Sequence, residues 1–170
     1  MLMKEVAELL NEQINKEFYS AYLYLDMSNY YDHVNLNGFS NWFKVQAQEE
    51  RDHAMLFLTY LQNNNEGIKL TSIAGPDKVY SDFKAPLTAA LEHEKFVTAS
   101  IYRIYEEAAN QKDFRTQQFL NWFITEQGEE EKNTEDLIDR YDLFANDPKG
   151  LYLLDAELGA RVYTPPTLVL

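Results

Sequence analysis

Apolar positions recur in alternating steps of four and three residues along four stretches of the chain. The first runs Leu10, Ile14, Glu17, Ala21, Tyr24, Ser28, Tyr31, and the second Phe39, Phe43, Gln46, Glu50, His53, Phe57, Tyr60. The third runs Phe83, Leu87, Ala90, Glu94, Val97, Ile101, Ile104, Ala108, and the fourth Leu120, Phe123, Gln127, Glu130, Thr134, Leu137, Tyr141, Phe144. That period is the seam of a helix bundle. It predicts helices over roughly 5–33, 38–63, 82–110 and 113–145.

The short connections YDHVNLNG and ANQKD imply antiparallel neighbours. The segment between the second and third helices, roughly 64–80, is longer than a hairpin needs and carries Asn, Gly and Pro. A helix of ~26 residues is ~39 Å long, a distance ~17 extended residues can span. This linker is therefore expected to cross the bundle and leave helices two and three parallel. Asp147-Pro148 reads as an N-cap and first helical residue, and Leu151, Leu154 and Leu158 share one side. The expectation is an all-α fold: an antiparallel four-helix bundle over about 5–145 and a short fifth helix over about 148–159. Together these form one domain, 1–159. The tail 160–170, ARVYTPPTLVL, cannot continue the last helix past Pro165-Pro166 and exposes apolar residues if unpaired.

Each of the four seams carries glutamate, and none carries Lys or Arg. An unpaired buried charge costs several kcal/mol even after relaxation. Four carboxylates and one imidazole sharing an apolar interior must protonate or hold cations, and two divalent metals would balance them. Counted from the turns at 1.5 Å per residue, Glu17, Glu50, His53, Glu94 and Glu130 fall within one or two turns of a common layer. The halves of the chain are related as well. Adding 77 to 17, 49, 50 and 53 turns Glu17, Glu49, Glu50 and His53 into Glu94, Glu126, Gln127 and Glu130. The visible repeat, NWFKVQAQEE against NWFITEQGEE, has offset 80, about one helical turn different, and keeps the same face inward. Glu50 and His53 form Glu-x-x-His, which together with a Glu from each of two other helices matches a carboxylate-bridged dimetal site. The donor set leaves iron, manganese and zinc open. The competing reading is a buried polar network that sets helix register.

Composition narrows the partners. The 170 residues carry a formal net charge of −13, which argues against nucleic acid and anionic membrane and fits cations. There is no cysteine, so thiolate chemistry is excluded. The start, MLMKEVAELLNEQ, lacks the apolar run of a signal peptide, and no stretch approaches the ~18 apolar residues of a membrane span. A soluble, cytoplasmic protein is expected. His33 and His93 are expected at the surface, and Met27 and Met55 in the core.

The sequence resembles the bacterial non-haem ferritins. The resemblance rests on NEQINKEFYSAYLYL at 11–25, QEERDH at 48–53, EHE at 92–94, NWFITEQGEEE at 121–131 and KGLYLLDAEL at 149–158. It implies a ferroxidase centre in each subunit. Glu17, Glu50 and His53 would bind one iron, and Glu50 would bridge to a second held by Glu94 and Glu130. Gln127 would hydrogen-bond there, with Tyr24 beside the centre and Trp122 close by. Glu49, Glu126, Glu129 and the shared Glu130 resemble a third iron site, although without the family Glu49 and Glu129 read as a solvated acidic face. Also implied are Fe(II) as substrate, O2 or H2O2 as oxidant, ferric mineral storage, and a cage of twenty-four subunits with the fifth helix at its fourfold axis. Asp52 stands where bacterioferritins place a haem-ligating methionine, so no haem is expected. The alternatives are a di-iron oxidase or oxygenase of the same superfamily acting on an organic substrate, and a non-catalytic assembly or binding protein.

Overall fold

The computed structural model describes residues 2–170. Five helices follow in chain order: α1 Lys4–His33, α2 Asn37–Asn63, α3 Ala85–Asn110, α4 Phe114–Phe144 and α5 Pro148–Leu158. Three of the helix ends share one device. Asn35, Asn65 and Lys112 adopt left-handed φ of 60°, 57° and 57°. The next amide then reaches back to close the last turn: Leu36 to the Tyr31 carbonyl, Glu66 to Leu61, Asp113 to Ala108. Asp113 caps α4 by accepting from the Thr116 amide at 3.0 Å. Asp147 caps α5 by accepting from the Lys149 and Gly150 amides, ahead of Pro148 in the first turn.

The course of the long linker follows from its contacts. Leu2 bonds Glu66 at one end of the bundle. The chain then runs back along α1, with Asn11 donating to the Lys69 carbonyl, Asn15 to that of Ser72, and Tyr80 to Asp26. Tyr31, near the end of α1, donates to the Phe83 carbonyl at 2.6 Å. The third helix thus starts where α1 ends and runs antiparallel to α1 and parallel to α2, as the crossover requires. α1 pairs closely with α2, and α3 with α4. α2 and α4 meet through side chains, with Tyr60 stacked on Phe119 at 4.0 Å and Phe57 packed at a tilt on Phe123 at 4.3 Å between ring centroids.

The apolar core is in two pieces. One surrounds Met27, Tyr31, Phe39, Phe43 and Leu87. The other surrounds Leu10, Ile14, Phe57, Ile101, Leu120 and Phe123. The buried acids lie between them in the helix sequences, in a polar layer that cuts the interior across its middle.

α5 is held where it comes closest to α2. The Asp155 carboxylate accepts from the Gly38 and Phe39 amides at 2.8 and 3.0 Å, occupying the donors that the first turn of α2 leaves free. A Cβ on Gly38 would stand 1.6 Å from the Asp155 carbonyl oxygen, so only glycine permits this approach.

Several expectations need correction. Phe83 precedes the third helix, which begins at Ala85, although its ring still packs against the core. Phe144, the last residue of α4, and Met55, which lies between the seam positions His53 and Phe57, are exposed. His33 is exposed as expected, whereas His93 is half-buried rather than open to solvent. It is wedged between α3 and α1, 2.7 Å from the Ser20 hydroxyl and edge-on to Tyr24. Burial there pushes its pKa down to about 4.

Candidate metal centre

Each helix of the bundle delivers an acid to the polar layer because its seam points one glutamate inward: Glu17 from α1, Glu50 from α2, Glu94 from α3 and Glu130 from α4. All four and His53 are at most 5% exposed. One ligand atom each from Glu17, Glu50 and His53 lie within 4.8 Å of one another. His53 Nδ1 is 3.6 Å from Glu50 Oε2, the pairing expected of i and i+3 on one helical face. Glu94 and Glu130 fall outside that tight group.

The remaining donors orient these carboxylates. Gln13 Nε2 donates to Glu17 at 2.9 Å, and Gln13 in turn accepts from Ser100 at 2.7 Å. Tyr24 donates its hydroxyl to Glu94. Gln127 donates to Glu94 Oε2 at 3.1 Å, and Gln46 donates to Glu130 Oε2 at 2.7 Å. Lys16 approaches but stops at Ser100, 2.6 Å from its hydroxyl. Among the described residues, no lysine or arginine pairs with any of the four buried carboxylates.

The electrostatics follow from burial without a counter-cation. Desolvation raises the Glu17 pKa, with His53 and the Gln13 bond opposing it. Glu50 is pushed well above the usual carboxylate range by burial and then by the charges of Glu94, Glu17 and Glu130. Burial lifts Glu94 to about 7, held back by its bonds from Tyr24 and Gln127. Burial and then Glu94 lift Glu130 to about 8. Burial and the neighbouring acids likewise keep the Tyr24 phenol protonated, hence a donor.

Among the described residues, three buried oxygens have no donor: Glu17 Oε2, Glu50 Oε1 and Gln46 Oε1. A buried acceptor without a partner costs about 1–3 kcal/mol. Two of these belong to the triad itself, and a cation among Glu17, Glu50 and His53 would satisfy both. Oxygen and nitrogen donors without sulfur fit iron.

A second acidic group adjoins the first. Glu49 and Glu126 are half-buried and Glu129 is exposed. His53 bridges the two groups, since its Nε2 lies 4.0 Å from Glu126. Trp122 stands edge-on to His53 at 5.6 Å between ring centroids, so it is close by, as expected. Burial raises the Glu49 and Glu126 pKa values. Arg161 unexpectedly reaches Glu49 from the tail, Nη2 to Oε2 at 2.6 Å. The seam pattern included Gln46 without assigning it a role and did not reach Gln13, which lies one turn from Glu17 on the same helix.

A four-helix bundle with a long crossover and a carboxylate–histidine layer at mid-height defines a ferritin-like fold with a candidate metal site. Comparison with known proteins agrees. The family model described as a ferritin-like domain matches residues 7–144. The chain is 39% identical over 155 residues to a bacterial non-heme ferritin of Campylobacter jejuni, covering 91% of this chain and 93% of that protein. It is 38% identical over 163 residues to one of Staphylococcus epidermidis, covering 96% and 98%. An open-pore ferritin from the archaeon Archaeoglobus fulgidus superposes with a TM-score of 0.93 at 40% identity, over 95% of this chain and all of that one. The chain belongs to the ferritin family.

Proposed function

We propose that this ferritin oxidises Fe(II) to Fe(III) at its buried acid layer and stores the product as ferric oxyhydroxide inside a hollow homo-oligomeric cage of twenty-four subunits. The observation that carries the reading is the set of four buried carboxylates and one imidazole with no cationic side chain among them, two of whose oxygens lack any donor. Glu17, Glu50 and His53 bind one ferrous ion, and Glu50 shares its carboxylate with a second ion held by Glu94 and Glu130. Gln127 and Tyr24 hold Glu94 in place by donating to it. Iron is substrate here, arriving and leaving.

The raised pKa values fit that traffic. Metal-free, the layer holds protons, and an arriving cation must displace them, so binding releases protons. Dioxygen or hydrogen peroxide takes the electrons, and the carboxylates stabilise the higher charge of the ferric product. Glu49, Glu126 and Glu129, with Glu130 shared, take a third ion on the far side of His53. The net charge of −13 raises the local concentration of cations outside the centre. Residues 1–159 act as the di-iron domain and 160–170 as its tail. Among the described residues no helix is long and apolar enough to cross a membrane, which is consistent with the cytoplasmic location we assign.

A di-iron oxidase with an organic substrate is not favoured, because the matched relatives are ferritins across nearly the whole chain. Aerobic titration of the metal-free protein with ferrous iron, followed by absorbance and particle sizing, tests the reading. Rapid oxidation and retention of hundreds of irons per particle support storage. Retention of only two irons per subunit contradicts it.

A further inference from the structure

The tail does not hang free after α5. Asn41 on α2 donates to the Leu158 and Arg161 carbonyls at 3.3 and 2.9 Å and turns the chain back over the bundle. The Arg161 guanidinium lies 4.7 Å over the Trp42 ring, donates to the Trp42 carbonyl at 3.3 Å, and pairs with Glu49 at 2.6 Å. Tyr163 then bonds Asp52, one turn beyond Glu49 on α2. Thr167 accepts from Trp122 Nε1 at 3.0 Å on α4, and Leu168 packs against the apolar core beyond. The tail therefore spans from α2 to α4.

Beneath it is a cavity of about 190 Å³, lined by Glu49, His53, Trp122 and Glu126 and roofed by residues 164–167. His53, 2% exposed, forms the wall between this cavity and the buried centre.

We propose that the tail is a tethered counter-cation for this cavity. Arg161 occupies Glu49 where a metal ion would otherwise bind, so iron reaching Glu49, Glu126 and Glu129 must displace it. The inference rests on the third-ion reading above and adds what regulates that site. The guanidinium presents a planar fork of donors that matches a carboxylate, so it competes directly with an ion for Glu49. It is also covalently attached and returns once the ion has left. The third position is thereby kept weak, a place that ions pass through rather than lodge in. Without Arg161 the carboxylates would hold the ion and slow its departure.

The test uses the assembled full chain, metal-free, titrated with Zn(II) by calorimetry, so that binding is read without redox turnover. Wild type is expected to take two ions tightly and a third weakly. Arg161→Ala should leave the first two unchanged and tighten the third roughly tenfold, the scale of one charge-assisted hydrogen bond. Adding Arg161→Ala to Glu49→Gln should give no further gain, because the competitor then has nothing to compete for. Tyr163→Phe, which releases the strap at Asp52 without changing charge, should tighten the third ion by a smaller factor and serves if Arg161→Ala fails to assemble. Two tight ions with a third that is unchanged or weaker in these variants overturn the inference alone. Absence of the tight pair in wild type overturns the function proposed above and this inference with it.

Discussion

Gln46 donates its amide to Glu130 across the bundle, Nε2 to Oε2 at 2.7 Å, and leaves its own Oε1 buried without a donor. Glutamine serves here where glutamate would not: it stabilises the ionised Glu130 without adding a fifth negative charge. Gln46→Leu removes both the donor and the orphaned oxygen. Glu130 should then be harder to ionise, and the second Zn(II) should bind about five- to tenfold more weakly by calorimetry, the loss of one hydrogen bond to a charged group. Unchanged affinity would mean that the bond does not orient a ligand.

Stability of the metal-free protein should fall as pH rises. Glu94 and Glu130 have folded pKa values of about 7 and about 8, above the ordinary 4.5. Between those limits the folded state binds more protons than the unfolded one. Their contribution is therefore complete below about pH 4.5 and is lost as pH climbs through 7 and 8. His93 acts oppositely: depressed to about 4 from 6.5, it lowers stability as pH falls below 6.5. Thermal melts should show a decline from pH 6.5 to 8.5 that Glu94→Gln makes shallower and saturating Zn(II) abolishes. A melt that improves over that range in the metal-free protein would contradict the assignment.

Tyr24→Phe deletes the donor to Glu94 without changing shape. We expect the second ion to bind about tenfold more weakly, and the rapid oxidation phase in stopped-flow absorbance to slow. A variant with wild-type binding and rate would show that the bond is only structural.

Gly38→Ala should be among the most destabilising single-methyl additions in the chain. Its Cβ would overlap the Asp155 carbonyl and force α5 off the start of α2, breaking the two hydrogen bonds that the Gly38 and Phe39 amides donate to Asp155. A loss of about 2–4 kcal/mol is expected from denaturant melts. A loss below about 0.5 kcal/mol would mean that α5 is not fixed at this contact.

The seam made most of this legible. Steps of four and three located four inward faces, and the acids on those faces were conspicuous because nothing cationic accompanied them. Glu17, Glu50, His53, Glu94 and Glu130 are all buried for that reason. The same period says nothing about how far a face extends. Phe144 therefore fits a pattern that the fold leaves in solvent, and Met55 lies off the seam altogether. His93 lies next to an inward residue, off the seam, and the close approach of α1 at Ser20 half-covers that flank. The strap was illegible for a different reason. Arg161 and Glu49 are 112 residues apart, and no local propensity encodes a contact formed only after α5 has docked.

The central claim is that cations neutralise the buried acid layer, and crystals soaked anaerobically with Fe(II) test it most directly by anomalous scattering at the iron edge. Two peaks are expected, one touching Glu17, Glu50 and His53, the other touching Glu50, Glu94 and Glu130. A layer without anomalous density after such a soak, or one in which a lysine or arginine has turned inward onto those carboxylates, would contradict the account.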